Sequence, residues 1–195
     1  MSYHIYTTDA LILKTAPAGE RDLSLLVFTK DFGMLSVRAR GIRMMQSRLR
    51  ATLQELSFVR LSLVRGKGVW RVTSAQLVDA FFRKVLRRSD IQKVFGNIVS
   101  LLHRLSPEAE ENHTLYIVLH HGIHQLCSVP EDRLVFVEYI TVLRMLRCLG
   151  YVGDTKTLQR VYGSMPIDQE VLQEVENKKQ LIIQTINESL AATQL

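Results

Sequence analysis

The feature that most constrains the fold of this chain is a change in its hydrophobic period near Asp79. Before that point, apolar residues recur at every second position in short runs, a pattern typical of β-strands. After it, they recur every three to four positions, as in amphipathic helices. Strands followed by helices indicate the α+β class. We therefore predict a β domain over residues 1–80 and a helical domain over residues 81–195.

Five strand-like runs occupy the first domain: TDALILKT, DLSLLVFT, MLSVRARG, LSFVRLSLVR and VWRVTSAQ. The glycines of GKG predict a tight hairpin between the last two. Between the third and fourth runs, Ser47 is a suitable N-cap, and Leu49, Leu53 and Leu56 follow at helical spacing. Five strands with a helix between the third and fourth form the plan of an OB-fold barrel. We predict such a barrel, followed by an all-α helical bundle.

Basic residues are concentrated in the predicted barrel. Residues 1–88 contain 16 Lys and Arg against 6 Asp and Glu, whereas residues 89–195 contain 9 against 13. A surface field of one sign attracts anionic ligands, although a solvated basic surface without a partner is the alternative. OB-folds bind nucleic acid through strands 2 and 3 and the loops 1–2 and 4–5. The candidate DNA-binding residues are Arg38, Arg40, Arg43, Arg48, Arg50, Arg65, Lys67 and Trp70.

The arginines from Arg40 to Arg50 surround the predicted helix start. Backbone N–H groups already favour phosphate there, and guanidinium groups add charge-assisted hydrogen bonds. No Asp or Glu occurs between Met34 and Leu53, so pairing with a neighbouring acid in the sequence is excluded, and phosphate contact is favoured over a solvated surface. Trp70 is the best candidate for stacking on a base, with a core position as the alternative.

Three further aromatic residues, Phe28, Phe32 and Phe58, lie in or beside strands near the basic positions. Aromatic side chains in such places can stack on bases. For each of them taken singly, a position in the barrel core is the stronger interpretation.

Catalytic motifs are missing from the sequence. It contains no GxSxG, no Walker phosphate loop and no GxGxxG. His120, His124 and Cys127 share one helical face, which can hold zinc, but a helix facing a bundle core explains the same spacing. We predict no enzymatic activity, no cofactor and no metal site.

Two features of the sequence indicate a cytoplasmic protein. Cys127 and Cys148 are the only cysteines, too few for a disulfide framework. The amino-terminal residues lack the basic and apolar regions of a secretory signal, and no run approaches the roughly 20 apolar residues that span a bilayer. We expect no association with a membrane.

The stretch from Asp9 to Phe81 resembles the N-terminal region of the RecO family of bacterial recombination mediators. The segment RMLRCLGYVGD is similar to the family's LLGY helix end. The matching positions are Glu20, Asp22, Thr29, Gly33, Ala39, Gly41, Ser47, Leu49, Leu53 and Gln54, together with the late RGKG.

The resemblance implies an N-terminal OB domain and a C-terminal helical domain. It also implies binding of single- and double-stranded DNA, annealing of complementary strands, and a nucleoid-associated place in the cytoplasm. The implied partners are RecR, the single-stranded DNA-binding protein through its acidic C-terminal tail and, indirectly, RecA. Many members carry a four-cysteine zinc site after the LGY segment. Residues 155–163 contain no cysteine, so zinc is not expected here, and the chain is shorter than the family at its C-terminal end.

Two sets of alternatives remain open. Arg144 and Arg147 are candidates for binding the acidic tail, because an acidic, apolar peptide needs a pocket with a cation at its rim, but they are equally consistent with solvated helix positions. For the chain as a whole, the alternatives are an RNA-binding OB protein and an interaction scaffold that meets an acidic protein.

Overall fold

The computed structural model describes residues 4–42, 44, 48–66, 68–79, 81, 85, 87–106, 110–153, 156–163 and 167–193, with Arg48 described in its backbone only. The chain divides into two compact units. The first comprises residues 1–87 with 107–113, and the second comprises residues 88–106 with 114–195. The domain boundary between residues 80 and 81 stays a prediction.

The first unit is built around a five-stranded barrel. Its strands are β1 (Ile5–Pro17), β2 (Leu23–Thr29), β3 (Gly33–Ala39), β4 (Phe58–Arg65) and β5 (Trp70–Asp79). They close in the order β1-β2-β3-β5-β4. All pairs are antiparallel except β3 with β5, which pair in parallel over two positions. The predicted five-stranded OB-fold is confirmed.

Alternation along the strands places apolar side chains inside the barrel. In β3, Leu35 and Val37 are buried, whereas Ser36 and Arg38 are exposed. Because successive side chains of a strand point to opposite faces, this alternation directs the basic residues outward. The fully buried interior residues include Ala10, Ile12, Leu25, Val27, Val59, Leu61 and Leu63.

The insert between β3 and β4 differs from the predicted helix. Among the described residues of the insert, helical structure is limited to one 3-10 turn at Arg48–Ala51, and Leu56 has a left-handed φ of 67°. The prediction of a helix that continues to Leu56 is therefore wrong. The reason is pairing with β1: Leu56 donates its N–H to Ile12 O, and Ile12 donates to Ser57 O. The chain has to leave the helix to make these bonds. Ser47, the predicted N-cap, lies outside the described residues.

The second unit consists of helices. They are α1 (Ser89–Leu105), α2 (His113–Leu126), α3 (Leu134–Cys148), α4 (Gln159–Gly163), α5 (Gln169–Asn177) and α6 (Lys179–Ala192). The apolar stripe of α1 is buried from Ile91 to Leu105, as its spacing predicts. Helix α3 is central, because it packs against α1, α4, α5 and α6. No helix in the described part of the chain is both long and apolar enough to cross a bilayer.

Candidate nucleic-acid interface

The loop between β1 and β2 is tied to the end of β3 by one carboxylate. Asp22 Oδ1 accepts a hydrogen bond from the Gly41 N–H at 3.0 Å, and Asp22 Oδ2 lies 3.5 Å from Arg38 Nε. Arg38 also donates to Ala18 O at 3.2 Å. No Asp or Glu lies between Met34 and Leu53 in the sequence, and the partner of Arg38 comes from outside that range because folding brings loop 1–2 to β3.

The ion pair with Asp22 leaves Arg38 available to an anion that forms stronger hydrogen bonds with its guanidinium group. Its side chain is 44% exposed, and exposed pairs contribute about 0–1 kcal/mol. A phosphate offers charge-assisted, bidentate hydrogen bonds to a guanidinium group, which are stronger than one long contact. Asp22 therefore orients Arg38 and the turn at Gly41 and still allows a phosphate to compete for the guanidinium group.

Arg71 is a further candidate for binding phosphate that the sequence pattern did not indicate. It is the register partner of Arg38 where β3 and β5 run in parallel, so the half-buried Arg71 lies beside the exposed Arg38. Its guanidinium packs against Gly66, with Cζ and Nε 3.5 Å from the position that a Cβ of Gly66 would take. The alternation of β5 indicates that Arg71 lies on the opposite face from Trp70. The sequence does not show the parallel register that pairs Arg71 with Arg38.

Three aromatic rings form a cluster at one end of the barrel. Trp70 contacts Tyr6 edge-on, with centroids 5.2 Å apart, and Phe32 at a tilt, with centroids 5.5 Å apart. Tyr6 and Phe32 also meet edge-on at 5.7 Å. All three are half-buried against the barrel core. Edge-on and offset pairs are the favoured aromatic geometries, so the indole is held firmly in place.

Arg65 lies over the indole ring, with its Cζ 5.7 Å from the Trp70 centroid. Arg65 is exposed, and a cation–π contact at an exposed site contributes only about 0.5–1 kcal/mol. Ile5 and Val69 are 58% and 43% exposed beside this end of the barrel. The aromatic cluster is thus flanked by solvent-exposed apolar side chains and by a cation.

The remaining predicted barrel residues fall into two groups. Arg40 and Arg50 are exposed, and neither is paired with an acid among the described residues. Arg43 and Lys67 lie outside the described residues, as does the side chain of Arg48. The residues that the structure describes in this insert form one 3-10 turn at Arg48–Ala51, and the predicted helix start at Ser47 lies outside them.

Burial excludes two aromatic residues as stacking partners for a base. Phe28 and Phe58 are both 0% exposed. The core interpretation is correct for them, and neither can stack on a base in this fold.

A separate cavity of about 380 Å³ lies in the helical unit. Arg144 and Arg147, the two predicted partner-binding residues, both line it. Its other lining residues are Thr114, Val118, Cys148, Tyr162 and Gly163. The helical unit therefore combines an apolar recess with two cations, as an acidic and apolar peptide requires.

The two arginines of this cavity differ in role. Arg144 is 3% exposed and donates Nε to Val161 O at 2.7 Å, so it is no solvated helix residue. Burial lowers its pKa to about 10, and it stays protonated at neutral pH. Arg147 lies 4.9 Å over the Tyr162 ring. Tyr162 also lines the cavity, and its buried hydroxyl has no hydrogen-bond partner among the described residues.

Metal chemistry finds no support in the described residues. Across them, no three His, Cys, Asp or Glu side chains are grouped as metal ligands, and this includes His120, His124 and Cys127. Burial raises the pKa of the Cys148 thiol, which disfavours the thiolate that metals bind.

Comparison with known proteins agrees with the fold. Residues 1–81 match the family described as Recombination protein O N terminal. The chain is 35% identical over 150 residues to the DNA repair protein RecO of Heliobacterium modesticaldum, covering 75% of this chain and 52% of that protein. It is 30% identical over 162 residues to the DNA repair protein RecO of Rubrobacter xylanophilus, covering 83% and 64%.

The DNA repair protein RecO of Thermodesulfovibrio yellowstonii is 27% identical over 154 residues, with 77% of this chain and 60% of that protein covered. The chain thus spans between 52% and 64% of the length of these three curated relatives.

Proposed function

Because this chain belongs to the RecO family of bacterial recombination mediators, we propose that it acts in DNA repair as a non-enzymatic mediator. In this proposal, the barrel binds single- and double-stranded DNA through phosphates and lowers the repulsion that opposes annealing of complementary strands. The helical unit binds the acidic tail of the single-stranded DNA-binding protein. With RecR, the protein then assists the loading of RecA on coated DNA in the bacterial cytoplasm.

The observation that carries this proposal is the grouping of cations around the parallel junction of β3 and β5. Arg38 and Arg71 are register partners there, and Arg65 follows at the end of β4. The exposed Arg40 lies directly after β3. Phosphate contacts of this kind position a nucleic acid without reading its sequence, as a mediator that works on any sequence requires.

The first expected result concerns salt. If these four arginines each neutralise one phosphate of single-stranded DNA, log affinity falls with log salt at a slope of about −3. Replacing Arg71 with glutamine is expected to reduce the slope by about 0.7, as one contact is lost. Fluorescence anisotropy of a labelled oligonucleotide at several salt concentrations measures both slopes.

The matched control is Arg60→Gln. Arg60 is an exposed arginine of the barrel, and it forms a two-point ion pair with Asp9, at 2.7 and 3.1 Å. Its loss should leave the slope unchanged. A slope near zero for the original chain, or equal losses for Arg60→Gln and Arg71→Gln, would rule out phosphate binding at the β3–β5 junction.

The second expected result concerns the mediator role. The chain should speed the annealing of complementary strands, both bare and coated with single-stranded DNA-binding protein. Arg147→Glu should keep the rate on bare strands and lose it on coated strands by about tenfold or more, because a hydrogen bond to a charged group, worth about 1.5–3 kcal/mol, becomes a repulsion. Lys93→Glu, an equal charge change on an exposed residue of α1, is the control.

Equal effects of Arg147→Glu on bare and coated strands would exclude the cavity as the tail-binding site. Failure of the original chain to anneal coated strands would exclude the mediator role. Competition between DNA and RNA oligonucleotides of equal sequence separates the proposal from RNA binding, since only the latter depends on the 2′-hydroxyl.

A further inference from the structure

The aromatic cluster of Tyr6, Phe32 and Trp70 has no assigned role in phosphate binding. We infer that it is a stacking platform that takes one unpaired base of single-stranded DNA onto the Trp70 indole, beside the arginines that hold the backbone. This inference rests on the proposed DNA binding and adds to it a way to distinguish single strands from duplexes.

The geometry of the indole suits this role because its position is fixed before a ligand arrives. Its strand is held on both sides, since Trp70 is the register partner of Val37 in β3 and of Arg65 in β4. Tyr6 and Phe32 support the ring at 5.2 and 5.5 Å. A ring already immobilised loses little conformational freedom on binding, so more of the stacking interaction appears as affinity.

Arg65 lies over the indole in a contact that a base can replace. Arg65 is exposed, and its Cζ lies 5.7 Å from the ring centroid. That distance is close to the limit for a cation–π interaction, and an exposed contact of this kind contributes less than a typical base stack. A displaced Arg65 remains beside the site as a partner for a phosphate.

Phosphate and base sites lie next to each other along β5. Trp70, the first residue of β5, is half-buried against the barrel core. The following residue, Arg71, is the register partner of the exposed Arg38. Neighbouring strand residues point to opposite faces, and Trp70 is the first residue of β5, so one nucleotide can reach both residues around this end of the strand, with its base on the indole and its phosphate on Arg71. The cationic flank also selects a nucleotide over an uncharged aromatic ligand.

Duplex DNA cannot stack a base on Trp70 without disrupting its own base stacking. Its bases are stacked on both faces, so a fixed ring must first unstack a base pair, whereas the bases of a single strand are accessible. The arginines, in contrast, bind the phosphates of either form. The structure therefore predicts two modes of binding to the same surface, and the base contact is limited to single strands.

The chain carries its own probe for this contact, because Trp70 is its only tryptophan. The intrinsic fluorescence of the full 195-residue chain is measured during titration with three ligands: a single-stranded oligothymidylate, an abasic sugar–phosphate strand of equal length, and a duplex. Anisotropy of labelled versions reports binding independently. The expected result is that all three ligands bind and that only the oligothymidylate quenches Trp70.

Variants test the energetic weight of the contact by anisotropy. Trp70→Leu is expected to weaken binding of the single strand by about 5- to 140-fold and to leave duplex and abasic binding unchanged. Trp70→Phe keeps an aromatic face and should retain most of the affinity. Circular dichroism checks that both variants fold, and the quenching experiment on the original chain does not depend on either of them.

The possible outcomes separate the two proposals. Binding of all three ligands without quenching, or equal quenching by all three, overturns the stacking platform and leaves the phosphate mechanism intact. Absence of binding to every ligand overturns the proposed function, and the platform with it. Selective quenching by the oligothymidylate together with the loss in Trp70→Leu supports the platform.

Discussion

Replacing Gly33 with alanine is expected to destabilise the barrel by about 3 kcal/mol or more. Gly33 has a φ of +62°, a conformation that costs an L-residue about 1–2 kcal/mol. A Cβ at this position would also lie 2.0 Å from the backbone oxygen of Glu110. The backbone fixes the position of the Cβ, and the atom it meets is a backbone oxygen, so no side-chain rotation relieves the contact. Overpacking of this kind adds about 1–3 kcal/mol.

The surroundings of Gly33 leave it little room to move. Thr29 Oγ1 donates to the Gly33 carbonyl oxygen at 2.8 Å and accepts from the Phe32 N–H at 3.0 Å. On the other side, His113 Nε2 lies 3.2 Å from Asp31 Oδ1, so the segment that carries Glu110 is also held near this turn. The expected clash therefore displaces Phe32, a member of the aromatic cluster, as well as the turn.

Gly19→Ala is the matched control for the steric part of this effect. Gly19 also has a positive φ, of +89°, but no atom of the described residues lies within 4 Å of the position its Cβ would take. It should cost only the backbone strain, about 1–2 kcal/mol. Urea unfolding followed by Trp70 fluorescence measures both variants within the barrel. Equal losses would show that the Glu110 contact does not constrain Gly33.

The strands of the barrel were predictable because their signal is local. Alternation of Leu35, Arg38 and their neighbours depends only on the geometry of an extended chain, and it also predicted which side chains face outward. The insert was predicted less well, because its structure depends on contacts between distant parts of the chain. Leu49, Leu53 and Leu56 have helical spacing, but the hydrogen bonds between Leu56 and the distant Ile12 determine where the helix ends.

The candidate site depends more on contacts between distant parts of the chain. The sequence shows only that no acid lies between Met34 and Leu53, whereas the ion pair of Arg38 with Asp22 forms because the fold brings the β1–β2 loop to β3. Trp70 was predicted as a stacking residue from its place after the hairpin. Its supports, Tyr6 and Phe32, were not, because they come from β1 and from the turn after β2. The sequence indicates which face of a strand a residue occupies. The topology of the barrel determines which of these residues come together in an ion pair or an aromatic cluster.

Replacing Gly122 with alanine is expected to destabilise the helical unit by about 2 kcal/mol. In an open helix the change would stabilise by about 0.5–1 kcal/mol, because glycine is a poor helix former. Here the new Cβ would lie 2.4 Å from Thr141 Oγ1 and 2.7 Å from Thr141 Cγ2. Rotation of the threonine exchanges one clash for the other, and its Cβ stays at 3.1 Å. The helices α2 and α3 have to move apart.

Thr141 is itself fixed in place. It is 1% exposed, and its Oγ1 donates to Val137 O at 2.7 Å within α3. Gly122→Ala should therefore lower the thermal midpoint of the helical circular dichroism signal. Gly96→Ala is the control, because Gly96 also lies within a helix and no described atom lies within 4 Å of its Cβ position, so this change should raise the midpoint.

A double variant assigns the effect to this one contact. In a Thr141→Ala background the two close atoms are absent, and only the Cβ contact at 3.1 Å remains. Gly122→Ala should then cost at least about 1 kcal/mol less than it does in the original chain, which is a coupling typical of residues in direct contact. Additive losses would mean that Gly122 is required for a reason other than the close approach of α2 to Thr141. Since α3 also carries Arg144 and Arg147, a separation of these helices is expected to weaken tail binding along with stability.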